Sequence, residues 1–338
     1  MSSINLIVYS FGGMAAGIGT DILKYGIPYA ILALGIFISY RLLDFADLGC
    51  EGTFTLGGAV ASLMVVQGVN PFLSLLIALI SGLLAGTFTG ILTTKLHIPP
   101  LLSGIITMTA LFTINMIIMG GVSDVINGNA FSFFHSKGST TGALSQEVRF
   151  YNPLYTLLHD RWNLSWVTRN YVAIFWLLII IAIVISLVYY FFGTQIGMGV
   201  RATGMNPIMA RAQGINTSFM MVMGLAISNG LIALAGASYS QVSGSANTQM
   251  GVGTLVIGLA SIIIGEAIVG RKTFKQNMFA VIVGALIYYL IIALVINTGL
   301  LDAHFLKLLY AILVVIVLVT SQLKNLKQKK ELKERHHA

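Results

Sequence analysis

Apolar residues fill this chain in long runs separated by short polar breaks, with no sustained alternation of apolar and polar positions. A membrane-crossing helix needs about twenty mostly apolar residues. By that ruler nine runs qualify, at about 26–43, 52–68, 71–94, 99–119, 170–192, 216–238, 252–269, 277–297 and 304–321. In lipid each run must satisfy its own backbone hydrogen bonds, and none has the pattern of a barrel strand, so the runs are read as helices. The expected fold is an all-α polytopic membrane protein. Residues 1–25 form an N-terminal extension, 26–321 a transmembrane domain and 322–338 a tail. The extension carries Gly12, Gly13, Gly17, Gly19 and Asp21, which leaves it as an interfacial helix or a loose segment.

Composition strengthens this reading. Hydrophobic residues make up 57% of the chain and charged residues 9%, with a mean hydropathy of +0.89, values a soluble domain of this size does not support. The formal net charge of +8 is concentrated: Lys324, Lys327, Lys329, Lys330, Lys333 and Arg335 all lie in the tail. A basic tail directly after an apolar run is a positive-inside signal, not a nucleic-acid patch, and it favours anionic lipid. Placing it inside also puts Arg41, Lys95, Arg201, Arg211, Arg271, Lys272 and Lys275 inside, and nine spans then leave the N-terminus outside. The loop 120–168 becomes external, its aromatics serving as a docking surface or resting at the membrane interface. The first twenty residues lack the basic start and apolar core of a cleavable signal peptide. The single cysteine, Cys50, excludes an intramolecular disulfide, and the six histidines form no metal-binding spacing.

Polar residues in or beside spans are costly and mark candidate sites. Asp44, Asp47, Glu51 and Thr53 crowd the junction of the first two spans. They either line a solute pathway at a broken helix start, or are structural, with Arg41 pairing Asp44 while Asp47 and Glu51 cap the second helix. Asn229, within the sixth span, faces the pathway or makes an interhelical hydrogen bond, with Gly224, Gly230 and Gly236 allowing close packing. Gln241 follows that span at its outer end. Glu266 pairs with Arg271 or Lys272, or touches a partner. Gly52–Ser62 faintly echoes Gly253–Ser261, each opening a span, and inverted halves of this kind characterise transporters.

Between the fifth and sixth spans lies a polar bracket, 193–215, in which Asn206-Pro207 signals a helix start. It is expected to present a short helix to a cytoplasmic partner. The chain has no nucleotide-binding or catalytic motif, so no enzymatic activity is expected of it.

The block Arg201-Ala202-Thr203-Gly204-Met205-Asn206-Pro207, then Ala210-Arg211-Ala212-Gln213-Gly214, then Leu225 to Gly236, resembles the permeases of ATP-binding-cassette importers of the branched-chain amino acid and ribose type. Leu42 to Leu48, Glu51 to Phe54, Leu56 to Ala59 and Gly253 to Glu266 are similar to the subgroup paired with lipid-anchored binding proteins and associated with tryptophan or tyrosine. The resemblance spans about 26–320, with the leader before Tyr25 and the 120–168 loop longer than the family pattern. It implies a homodimer in the bacterial plasma membrane, two cytoplasmic ATPase subunits holding ATP and Mg, and an external binding lipoprotein. It makes Arg201 to Gly214 the ATPase-coupling segment and the Asp44–Thr53 junction part of the pathway. The competing class is an ion-coupled secondary transporter using Asp44, Asp47 or Glu51; a membrane scaffold is a third.

Overall fold

A computed structural model describes residues 2–119, 169–270 and 273–297, with side chains from 19, from 170 and up to 294. The expected ninth span at 304–321, the 120–168 loop and the basic tail lie outside these residues. Ten α-helices follow one another: α1 (Ser2–Ile36), α2 (Cys50–Val66), α3 (Pro71–Thr94), α4 (Pro100–Ile118), α5 (Arg169–Gly193), α6 (Gln195–Met205), α7 (Pro207–Ala212), α8 (Thr217–Ser243), α9 (Thr254–Val269) and α10 (Phe274–Asn297). The extension before Tyr25 is the first part of α1, which ends in a π-helical turn, Phe37–Leu42.

Helix starts follow local chemistry. Asn70 accepts a hydrogen bond from Phe72 N at 2.9 Å ahead of Pro71, and Asn216 accepts from Phe219 N at 3.1 Å. Among the described residues, six stretches are long and apolar enough to cross a membrane: Gly19–Leu42, Pro71–Thr94, Pro100–Ile118, Asn170–Gly193, Thr217–Ser243 and Phe274–Leu294. Two of the expected spans are shorter apolar helices, α2 with 17 residues and α9 with 16.

The bundle is built around α8, buried over most of its length from Gly224 to Val242. Helix α3 runs antiparallel to it, since Gln241 reaches Ser74 while Gly82 lies against Asn229 and Gly86 against Leu225. Helix α1 is also antiparallel, with Tyr29 near Tyr239 and Gly35 O accepting from Ser228 Oγ at 2.7 Å. Helix α2 instead runs parallel to α8, pairing Thr53 with Asn229 and Gly57 with Ala233.

This geometry explains the two short helices. After Leu42 the chain turns back through a non-helical segment, 43–49, and α2 begins beside Asn229, about 18 Å along α8 from its start. From there α2 runs away from the bracket end. Segment 244–253 leaves the far end of α8 and descends beside α2, with Ala246 against Ala59 and Met250 against Gly58. Helix α9 then starts at Glu51 and ends where Glu266 meets Arg41. The two helices therefore start at a common depth and diverge to opposite ends. Non-helical backbone at such depth survives only when covered by protein.

Close helix approach depends on absent side chains. A Cβ at Gly236 would collide with the Phe54 carbonyl, and one at Gly57 with the Ala233 carbonyl, so the expected packing role of Gly236 is met against α2. Gly236→Leu should therefore cost about 3 kcal/mol or more, the upper range for overpacking. Thermal unfolding in detergent checks this, with Gly193→Ala, which meets nothing within 4 Å, expected to match wild type.

Candidate pathway junction and cytoplasmic bracket

The junction of α1, α2, α8 and α9 gathers most of the polar residues singled out in the sequence. Asp47 is buried before α2; its Oδ1 accepts from Gly49 N at 2.8 Å and its Oδ2 from Asn229 Nδ2 at 2.7 Å. Asn229 also donates to Leu225 O at 3.1 Å and accepts from the Thr53 hydroxyl at 2.8 Å. Its side chain is thus engaged between α8 and the start of α2, which is the interhelical hydrogen bond expected of it.

Glu51 does not cap its own helix. It stands in the first turn of α2, and its Oε1 accepts from Gly253 N at 2.9 Å, so its carboxylate serves the start of α9. Gly253 has φ +86°, a left-handed turn that glycine adopts readily. An acidic group there meets the positive end of the α9 dipole.

Three expectations are corrected. Arg41 does not pair with Asp44: its Nε lies 3.2 Å from Glu266 Oε1, joining the end of α1 to the end of α9, while the proposed Arg271 and Lys272 partners lie outside the described residues. Asp44 is exposed, with φ +53°, next to the stretch where Leu42 meets Gly204, and it joins neither Asp47 nor Glu51. Gln241 stands at the end of α8 away from the bracket, as expected, but inside the last turn instead of after it, and it is buried, donating to Pro71 O at 3.1 Å and Ser74 Oγ at 2.8 Å.

The bracket is two helices instead of one. Thr194 accepts from Gly197 N at 3.2 Å to start α6, and Asn206 breaks it with φ −156° before accepting from Met209 N at 3.0 Å to start α7. The expected start at Asn206-Pro207 is present. Inward, Thr203 and Ala210 are buried, Gly204 lies against the Leu42 carbonyl, Ala202 is half-buried and Arg201 stacks over Phe274 at 5.0 Å. Arg211 donates from Nε to Thr217 Oγ1 at 2.8 Å, and Gly214, at φ +80°, closes α7. Outward, Met205 is 85% exposed, Ile208 82% and Met209 59%. These apolar knobs were not singled out in the sequence; three large apolar side chains within five residues of a polar segment were the available signal.

Replacing Asn229 by Leu strips the buried Asp47 Oδ2 of its donor and leaves the Thr53 hydroxyl only Gly49 O, at an expected cost of about 1–3 kcal/mol. Asp47→Asn, which retains an acceptor for Gly49 N, should lose less. Detergent unfolding of both variants and the double mutant checks the order and their coupling.

The family model for the branched-chain amino acid transport system, permease component, matches residues 4–318. That match runs through both the leader and the 120–168 loop, so the leader is not an addition to the family's length. The tyrosine transport system permease protein of Clostridioides difficile (strain R20291) is 34% identical over 310 residues, covering 92% of this chain and 93% of the relative. The galactofuranose transporter permease protein YtfT of Escherichia coli (strain K12) is 27% identical over 278 residues, covering 81% and 71%. The ribose import permease protein RbsC of Haemophilus influenzae is 26% identical over 269 residues, covering 79% and 70%. No solved structure matches. With its apolar crossing helices, the chain is a multi-pass protein of the bacterial inner membrane. It belongs to the branched-chain amino acid transport system permease family.

Proposed function

We propose that this chain is the homodimerising permease subunit of an ATP-driven importer for a small solute, an amino acid or related compound, delivered by an external binding lipoprotein. ATP and Mg are held by two cytoplasmic ATPase subunits, and this chain hydrolyses nothing itself. The observation carrying this reading is the α6–α7 bracket, which is joined directly to two crossing helices and exposes Met205, Ile208 and Met209. Apolar side chains so exposed at the polar end of a bundle favour a groove on a soluble partner. The 34% identity to a tyrosine transport permease favours an aromatic amino acid among the candidates.

Charge supports the orientation with that bracket inside. Arg41 and Arg201 are held near the ends of α9 and α10 that meet the bracket, Lys95 follows α3 at the same end, and Arg211 and Lys275 stand there too. At the other end Lys24 donates to Asn170 Oδ1 at 3.3 Å. Such an asymmetry is what the positive-inside rule requires. The common start of α2 and α9 and their opposite directions support an inverted repeat; nine spans, with the N-terminus outside, fit the same frame. The ion-coupled alternative is weakened, because both Asp47 oxygens are bonded within the fold and Asp44 stands apart.

Ile208→Asp with Met209→Asp should reduce transport-coupled ATPase activity and uptake at least tenfold while membrane levels stay at wild type. Arg201→Glu with Arg211→Glu should do the same, with added loss of stability because both cations are used in packing. Reconstituted permease with and without its ATPase partner is the measurement. Full uptake by the aspartate double variant, or by the permease alone under a proton gradient, rejects the assignment.

A further inference from the structure

A cleft beside the junction is lined by more hydrogen-bond acceptors than packing needs. Helix α2 contributes Glu51 and Thr55, helix α4 contributes Asn115 and Phe112, and the descending segment contributes Thr248 and Val252. Phe112 and Val252 are exposed, so the cleft opens on the surface of a single copy. Its space is about 30 Å³, room for one or two water-sized groups.

The walls are rich in acceptors, with the Thr248 hydroxyl able both to donate and to accept. Asn115 is 1% exposed and donates from Nδ2 to Gly52 O at 3.0 Å. A carbonyl can only accept, so the amide atom facing it is Nδ2 and Oδ1 is the remaining atom. Asn115 Oδ1 is buried with no partner. Thr55 spends its hydrogen on Glu51 O at 3.1 Å, leaving its hydroxyl lone pairs. Glu51 accepts from Gly253 N through Oε1 and also from the Leu255 amide, and a carboxylate offers about four acceptor positions in all, so part of its capacity remains. Among the described residues, no lysine or arginine lines the cleft. A buried acceptor left unmatched is costly, so the group that fits here is a donor, and the carboxylate selects a cationic one. The α9 amide offsets part of the Glu51 charge but supplies nothing to Asn115.

From this geometry we infer that the cleft between α2 and α4 receives the ammonium group of the transported solute. This rests on the importer reading and deepens it by naming the substrate class as an amine. The narrow volume takes the head group, and the remainder of the solute extends past Phe112 toward the open side, where a second copy closes the route.

The test uses the full-length permease in membranes, with Cys50→Ala removing the chain's cysteine and Val252→Cys placing one at the mouth. Labelling rates are measured with 2-aminoethyl and 2-sulfonatoethyl methanethiosulfonate, each divided by its rate with free 2-mercaptoethanol. The ammonium reagent should be favoured by about tenfold, as expected of a focused negative cleft. Glu51→Gln should bring that ratio near one, and Asn115→Leu should lower it several-fold. Methylammonium should slow labelling while the same concentration of sodium does not. Equal normalised rates, a ratio unmoved by both substitutions, or equal protection by sodium overturns the inference. If Glu51→Gln does not reach the membrane, Asn115→Leu decides. Labelling does not depend on ATP-driven uptake, so failure of the cleft and failure of the importer reading are separate results.

Discussion

Lipid offers no hydrogen-bond partner to a broken backbone, and this chain breaks its backbone twice at depth, at 43–49 and at 244–253. Everything polar near the centre answers that constraint first. Asp47 takes the Gly49 amide before α2, and Glu51 takes the Gly253 amide before α9. Asn229 ties the first of these breaks to α8. Without such side chains the two short helices could not begin inside the bundle, and each break would have to be withdrawn to a membrane surface.

The same constraint separates supporting residues from those with capacity to spare. Asp47 and Asn229 satisfy each other and their neighbours, so exchanging protons or ligands there would undo the fold. Gln241 supports the half of α8 away from the bracket against the start of α3 in a similar way, although its Oε1 stays buried without a partner. Glu51 and Asn115 differ because each keeps acceptor capacity beyond its backbone anchors. A transport route needs polar atoms that are positioned yet not consumed, and these two meet that description.

Run length made the crossing helices readable in the sequence, since a stretch such as 71–94 has no other stable use. Run length also hid the half-depth starts, because apolarity reports the surroundings of a helix and not the level at which it begins. Residues 52–68 and 252–269 accordingly looked like complete spans. The faint echo between their openings was the one hint, and it falls on the first turns of α2 and α9. Arg41 with Glu266 was illegible because the partners lie far apart in the chain, whereas Asp44 is near Arg41 in sequence but placed away by a positive φ. The bracket was legible from polarity alone; its division at Asn206 followed from one capping side chain, but its outward apolar face required the backbone geometry.

On the importer reading, a push on the bracket has a short physical route to the junction. Gly204 of α6 lies directly against the Leu42 carbonyl, and Leu43 lies against Gly224 of α8. Leu42 and Leu43 open the 43–49 segment, whose lack of a helical ladder makes it the softest connection between the bracket and the start of α2. Helix α2 carries Glu51, and Glu51 holds α9, whose far end returns to Arg41 at the level of the bracket. A rigid α6 pressing on Leu42 therefore acts on a closed loop of elements instead of a free strand. Such a loop can pass between discrete arrangements without melting any crossing helix, which is the mechanical property alternating access demands.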